Sequence, residues 1–274
     1  MAMATRIEAY LRPKYPALAM GWLTEPDEQV MDKGPHCLMH ALWRAARGER
    51  SVMHAGSLGC VAAREGLGLA YPLTDFFPGG PDCFYGFLSA GNADTEQGRA
   101  MIEGMRAAGA PRHFVDLLEH GEGYVKDREL TKEYRTHIPQ IEPGGTHVYL
   151  APLASLPEGE QPALVTLLVN AHQLSALTVL ANYGRPGIDN VRIPFGAACA
   201  SLGLFPFWEA TQPSPRAVIG LVDLTARFHI RKTLGAEIMS FTMPWSLFAE
   251  MEANADESFL SRSEWRMIAG LDEE

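Results

Sequence analysis

The sequence predicts an α/β or α+β protein in which a mixed β-sheet is flanked by helices. Residues 163–169 form a continuous apolar run, which is typical of a strand buried on both faces. Residues 171–183 then repeat apolar side chains at helical spacing, directly after Asn170, a residue type that caps helices. This strand–helix unit is the clearest element of the chain and the basis of the predicted fold class.

The first half of the chain predicts mostly helices. We expect one helix over residues 5–11, which Pro13 stops, and another over 35–47, because Pro35 suits a first helical turn and Gly48 ends the helix. The other elements predicted in this half are a strand over 17–23 and helices over 61–67, 95–108 and 112–119. The glycine- and proline-rich stretch 76–92 predicts a loop.

The second half predicts most of the sheet. Its predicted strands cover residues 147–151, 163–169, 217–222 and 238–242, and further helices follow from 244 to 252 and from 258 to 268. Residues up to 145 are richer in Gly, His, Met and charge than the later residues. We therefore expect one folded unit with two lobes, 1–145 and 146–274.

Composition limits the classes of function. The chain has 274 residues and a formal net charge of −10, and an acidic surface repels nucleic acid and anionic lipid, so we expect neither as a partner. The longest apolar run, at 163–169, is far shorter than the roughly 20 residues of a membrane span. The N-terminal residues lack the apolar region of a secretion signal. We expect a cytoplasmic protein, and a homodimer because most soluble oligomers are symmetric.

The four cysteines are the most chemically informative residues. Cys37, Cys60, Cys83 and Cys199 show neither a CxxC pair nor the compact spacing of a disulfide scaffold. Disulfides are rare in cytosolic proteins of this size. The thiols are therefore metal ligands, a nucleophile or packed core residues.

Several segments together resemble one family. They are His36–Gly48, Leu58-Gly59-Cys60, Tyr149–Leu153, Gln173–Leu177 with Ala181-Asn182-Tyr183, Phe195–Ala200, Ile219-Gly220 with Arg227, and Phe241–Pro244. In this order they resemble the DUF169 family of uncharacterised proteins, found mainly in anaerobic bacteria and archaea. The resemblance extends from about residue 5 to residue 260.

The resemblance divides the cysteines into three and one. It implies that Cys37, Cys60 and Cys199 correspond to family cysteines, whereas Cys83 has no family counterpart. Many members carry a fourth cysteine just before the arginine that matches Arg227, but residues 220–227 contain none here. This departure argues against a site of four family cysteines.

Three interpretations of the thiols remain open. Cys37, Cys60 and Cys199 can bind an iron–sulfur cluster or another soft metal, with Cys83 or Asp223 as a further ligand, because such centres require thiolates. Alternatively, the thiols are small apolar core residues. Cys37 can also act as a nucleophile paired with His40, since the two would share one helix face.

A different class of function places the site elsewhere. Asp223 and Arg227 follow a predicted strand, and strand ends are where α/β sheets hold ligands. Asn182 and Tyr183 end the helix after Asn170. These four residues predict a pocket for an anionic small molecule in a metal-free binding protein, in which the thiols only pack.

Overall fold

The structure, a computed structural model, describes residues 5–25 and 37–270. These residues form two units. One unit contains the described residues up to Leu69 and from Ile141 onward, and it holds the whole sheet. The other unit, Ala70–Gln140, is helical. The division differs from the two lobes expected at residue 145, because strands from both halves of the chain pair in one sheet.

The sheet has seven strands in the described residues and is mixed, which confirms the predicted class as an α+β fold. The strands are β1 (Leu18–Leu23), β2 (Ser51–His54), β3 (His147–Pro152), β4 (Leu164–Val169), β5 (Val191–Arg192), β6 (Ala217–Gly220) and β7 (Met239–Pro244). Their order is β2-β3-β1-β4-β7-β6-β5. All neighbours are antiparallel except β5 and β6.

Helices make up most of the remaining structure. They are α1 (Arg6–Leu11), α2 (Leu38–Ala46), α3 (Val61–Gly66), α4 (Leu73–Phe76), α5 (Gly80–Leu88), α6 (Glu96–Ala107), α7 (Arg112–His120), α8 (Arg128–Thr136), α9 (Ala171–Tyr183), α10 (Phe205–Ala210), α11 (Leu224–Ile230), α12 (Trp245–Asn254) and α13 (Ser263–Ile268). A π-helical turn, Ala200–Leu204, precedes α10. Among the described residues, no helix is both long enough and apolar enough to cross a membrane.

Strand β4 shows how the sheet separates two cores. Leu164 and Leu168 belong to one core, whereas Val165, Leu167 and Val169 belong to the other, because successive side chains of a strand point to opposite faces. We call the side that packs against α2, α3 and α11 the first face, and the side that packs against α1, α9 and α12 the second face. The continuous apolar run therefore predicted a doubly buried strand correctly.

The prediction of a loop over residues 76–92 was wrong, because the structure places α5 there. Pro81 lies in the first turn of α5, where a missing backbone N–H costs nothing, and Gly79 precedes the helix with φ 77°. Cys83 and Phe84 are buried on the inner side of the helix. Glycine and proline here mark the start of a helix instead of a loop.

A buried carboxylate holds the short edge strand β5 in place. Glu209 is fully buried, and its Oε1 accepts hydrogen bonds from Arg192 Nη1 at 2.8 Å and from Arg216 Nη2 at 3.1 Å. Its Oε2 accepts from the backbone N–H of Arg216 at 2.9 Å. Because a buried charge is tolerated only when it is paired, these bonds fix α10 against the end of the sheet.

A histidine pair lies across the edge strands β2 and β3. His54 and His147 are register partners, and their ring centroids are 5.3 Å apart. The hydroxyl of Thr146 donates to Thr24 O, so its oxygen accepts from Nδ1–H of His147 at 2.8 Å. Burial and the neighbouring His54 lower the pKa of His147 below its ordinary 6.5. The folded protein thus favours the neutral ring.

We expect the stability of this protein to fall as the pH drops below about 6.5, because His147 binds protons less readily when folded than when unfolded. The contribution is complete above pH 6.5 and is lost as the pH falls toward the lowered pKa. Urea unfolding of wild type and His147→Gln between pH 5 and 8 measures it. The variant should show a flatter pH dependence, and parallel curves would contradict the assignment.

Candidate functional site

The three cysteines that the resemblance selected each lie at the beginning of a helical segment on the first face. Cys37 is the N-cap of α2 and Cys60 is the N-cap of α3, each with extended backbone angles. Cys199 directly precedes the π-helical turn. Cys37 is exposed, Cys60 is partly buried and Cys199 is buried, so the set runs from the surface into the core. None of the four cysteines forms a disulfide in the structure.

Electrostatics shows that these thiols share one neighbourhood. Burial raises the pKa of Cys60, and the charges of Cys37 and Asp223 raise it further. Burial also raises the pKa of Cys199 well above its ordinary value, followed by the charges of Cys60, Cys37 and Asp223. Asp223 and the three thiols, which come from four separate segments, therefore lie within electrostatic range of one another.

Backbone-to-backbone packing joins α3 to the π-helical turn. A Cβ placed on Gly66 would lie 2.7 Å from the carbonyl carbon of Cys199, and one on Gly203 would lie 2.1 Å from Gly66 O. Both distances are far inside van der Waals contact. Only glycine at these two positions lets α3 pack this closely on the π-helical turn that follows Cys199.

Asp223 connects the start of α11 with the segment of Cys199. Its Oδ1 accepts from the backbone N–H of Thr225 at 2.8 Å and of Ala226 at 3.3 Å. Its Oδ2 accepts from the backbone N–H of Ala198 at 3.2 Å. Both oxygens of this predicted ligand therefore cap helical segments, and Asp223 acts first as a structural link between them.

A strained residue lies directly beside this link. Leu221 has φ 61°, a left-handed conformation that costs a residue with a side chain about 1–3 kcal/mol. Its N–H donates to Ser201 Oγ at 3.4 Å, and its carbonyl accepts from Arg227 Nη1 at 3.1 Å. Neither Ser201 nor Leu221 carried a sequence signal that marked it in advance.

Arg227 is part of the scaffold. Besides Leu221 O, its Nη1 donates to Ile238 O at 2.8 Å, and its Nη2 donates to Ala236 O. The guanidinium therefore binds three carbonyl groups of its own chain. It holds the strained turn after β6 and the segment before β7 together.

The pocket predicted from Asn182, Tyr183, Asp223 and Arg227 does not assemble. Helix α9, which carries the first pair, packs on the second face, whereas α11 packs on the first face. Asn182 donates to Thr178 O and accepts from Asn190, and the Tyr183 hydroxyl donates to Glu257 O. Asn182 and Tyr183 end a helix, and Asp223 and Arg227 follow a strand. These positions in the sequence did not indicate which face of the sheet each helix would cover.

Cys83 and His40, which were also predicted to take part in a site, make contacts of a different kind. Cys83 belongs to the helical unit 70–140, where it is buried, and the amide of Asn92 donates to its carbonyl at 3.0 Å. The ring of His40, the suggested partner of a nucleophilic Cys37, stacks on Trp43 with centroids 5.7 Å apart. His36 lies outside the described residues.

Two further observations bound what the site can do. Within residues 5–25 and 37–270, no three or more His, Cys, Asp or Glu side chains are already arranged to hold a metal ion. An open groove of about 540 Å³ exists, but its apolar wall, with Trp245 and Phe248, belongs to the second-face core. The groove therefore lies on the opposite face of the sheet from the thiols. For one ligand to bind all three thiols, their side chains would have to turn toward one another.

The comparison with known families agrees with the resemblance seen in the sequence. The model of a family described as uncharacterised ArCR, DUF169, matches residues 6–254 of the 274-residue chain. The chain belongs to the DUF169 family. No curated protein matches the chain. No solved structure matches it either. The DUF169 match includes all the segments that carry the thiols and Asp223.

We expect the thiols of the metal-free protein to react with iodoacetamide in the order of their exposure. Cys37 should be modified first and Cys60 more slowly, whereas Cys83 and Cys199 should react only after unfolding, because burial and a raised pKa reduce the thiolate fraction. Time-resolved peptide mass spectrometry gives the order. Modification of Cys199 as fast as Cys37 in the folded protein would contradict its buried position.

We expect Gly203→Ala to destabilise the protein by about 1–3 kcal/mol, because the new methyl group would overlap Gly66 O. Gly104→Ala in α6 is the matched control, since nothing lies within 4 Å of its added Cβ and alanine favours a helix by about 0.5–1 kcal/mol. Urea denaturation followed by far-ultraviolet circular dichroism measures both. Equal stability of the two variants would show that the close contact is absent.

Proposed function

We propose that this DUF169 protein binds an iron–sulfur cluster through Cys37, Cys60 and Cys199 and uses it for redox or Lewis-acid chemistry on a small molecule. The observation that supports this proposal is that the segments carrying the three thiols all pack on the first face, where Gly66 of the helix that Cys60 begins contacts Cys199. Thiolate sulfur is the ligand that iron–sulfur centres require. Thiols that only fill a core have no need to meet.

The spacing of the segments favours a cluster over a single ion. Two thiolates on one tetrahedral ion with bonds near 2.3 Å have sulfur atoms only about 3.8 Å apart. Cys60 begins α3, whereas Cys199 contacts Gly66, the last residue of that helix, and six helical residues extend about 9 Å. A cluster of several irons holds its ligand sulfurs further apart than a single ion does, and for this reason we propose a cluster.

The chain's own residues give the proposed centre an asymmetric environment. Cys199 is buried among apolar residues of the first-face core, while Cys37 is exposed. Asp223 has both oxygens in backbone hydrogen bonds, so among the described residues we assign the ligand role to the three thiols. A cluster held by these three cysteines would supply redox or Lewis-acid chemistry to a small molecule bound beside it. The free thiols suit a reducing compartment such as the cytoplasm.

The test is cluster loading of wild type and four single variants. Protein purified without oxygen is reconstituted with ferrous iron and sulfide, and iron, acid-labile sulfide and the visible spectrum are measured. We expect Cys37→Ser, Cys60→Ser and Cys199→Ser each to lose most of the bound iron and sulfide. Cys83→Ser is the matched control and should load like wild type, because Cys83 belongs to the other unit.

Folding and loading can be separated. Cys37 is exposed, so Cys37→Ser should keep the wild-type circular dichroism spectrum and melting temperature while losing the cluster. Wild type that folds but takes up neither iron nor sulfide would overturn the proposal. Equal loss from Cys83→Ser would overturn the choice of ligands, and stoichiometric zinc without sulfide would replace the cluster with a single ion.

A further inference from the structure

An open groove lies beside helix α12 on the second face of the sheet. Its volume of about 540 Å³ is within the range of about 300–1,000 Å³ that is typical of pockets for small organic molecules. One wall contains Trp245 and Phe248 from α12, and the other contains Leu153 and Leu156 from the segment after β3. We call this site the α12 groove.

The aromatic wall of the α12 groove combines a buried ring with a partly accessible one. Phe248 is buried, whereas Trp245 packs against the second-face core and stays partly exposed. Their ring centroids are 5.5 Å apart. Among aromatic side chains, the indole ring attracts a cation most strongly. The wall therefore suits an apolar ligand and also a positive charge carried by that ligand.

The charged side chains at the α1 end of the groove already bind one another and the backbone. The two carboxylate oxygens of Glu252 accept from the backbone N–H groups of Arg6, at 2.9 Å, and of Ile7, at 2.8 Å. The Arg6 guanidinium donates to Glu252 O, and its Nε lies 3.3 Å from Asp256 Oδ2. These bonds fix the start of α1 against α12 and pair the positive charge of Arg6 within the chain.

Glu160 gives the groove a carboxylate that has acceptor positions to spare. It is exposed and lines the groove. The hydroxyl of Tyr149 donates to Glu160, and the pKa of Tyr149 is raised to about 12, first by burial and then by the charge of Glu160. The guanidinium of Arg50 lies 4.9 Å from the centroid of the Tyr149 ring. Because a carboxylate has about four acceptor positions, the bond from Tyr149 orients Glu160 and leaves room for a further donor.

We infer that the α12 groove binds a small organic cation of the arylalkylamine class. The aryl group packs between Trp245 and the leucine wall, and the ammonium group donates to Glu160. An ammonium group gains both a charge-assisted hydrogen bond from a carboxylate and a cation–π attraction from an indole ring. An anionic ligand would instead meet the charge of Glu160 and a guanidinium, that of Arg6, which is already paired. The inference does not depend on the proposed cluster, because the groove and the thiols lie on opposite faces of the sheet.

Calorimetry with matched probes tests the charge that the groove recognises. Phenethylamine, 2-phenylethanol and 3-phenylpropanoate share a phenyl ring on a short chain, but near neutral pH they carry a positive, a neutral and a negative group, respectively. We expect phenethylamine to bind about fivefold more tightly than the alcohol, and the carboxylate to bind most weakly. Glu160→Gln should remove most of this preference. Glu158→Gln is the matched control, since it makes the same change in charge at an exposed position of the same segment, and it should bind within about twofold of wild type.

A spectroscopic measurement tests where the probe binds. Phenethylamine should change the tryptophan fluorescence of the wild-type protein, and Trp245→Phe should lose most of this change, because Trp245 lines the groove. The variant keeps an aromatic side chain at this position. Its melting temperature, and that of Glu160→Gln, should stay close to the wild-type value, which separates loss of binding from loss of folding.

Four results would overturn the inference. Equal affinity for phenethylamine and 2-phenylethanol would show that the groove does not recognise charge. Tighter binding of 3-phenylpropanoate would make this an anion site that depends on Arg6. Equal weakening by Glu158→Gln and Glu160→Gln would reduce the role of Glu160 to a general effect of surface charge. The absence of saturable binding of phenethylamine to the folded wild-type protein would exclude this class of ligand.

Discussion

One carboxylate ties together the helix beginnings on which the thiol neighbourhood depends. Asp223 accepts from Thr225 and Ala226 at the start of α11 and from Ala198 just before Cys199. Bonds from backbone N–H groups to a charged acceptor are stronger than bonds between neutral groups, and unpaired N–H groups at a helix start are costly when buried. The same side chain thus satisfies two helical segments and places their first residues next to each other.

The strained turn at Leu221 follows from the hydrogen bond between Asp223 and the backbone of Ala198. The chain must leave β6 and turn sharply for Asp223 to reach Ala198, and Leu221 adopts a left-handed conformation there. Arg227 and Ser201 hold its carbonyl and N–H, respectively. The cost of the conformation is offset by these bonds and by the complete burial of the Leu221 side chain.

The sequence predicted helices and strands well, but it predicted poorly which distant residues would lie next to one another. Apolar periodicity and the capping residue Asn170 predicted β4 and α9, because these signals arise within a few residues. Helix α5 was missed because Gly79 and Pro81 serve its start, and β5 depends on the distant carboxylate of Glu209. The interacting partners of these residues are decided by packing, which periodicity does not encode.

The same distinction applies to the site. The family resemblance selected Cys37, Cys60 and Cys199, and in the structure the segments that carry them all pack on the first face. The pairing of Asp223 and Arg227 with Asn182 and Tyr183 failed, since the sheet separates the two pairs. A residue's proximity to a strand end is visible in the sequence, whereas the face that its helix covers is not.

The depth of the three thiols has a consequence for the chemistry that the site can support. Cys199 lies in the apolar core, where water is excluded and electrostatic interactions are strong, while Cys37 is at the surface. The centre proposed between them would be shielded on one side and accessible on the other. Gly66 and Gly203 allow the buried side to close tightly, because any side chain there would separate α3 from the π-helical turn. Cys37 begins α2 and α11 packs against that helix, so a small molecule bound at the proposed centre would lie beside these two helices.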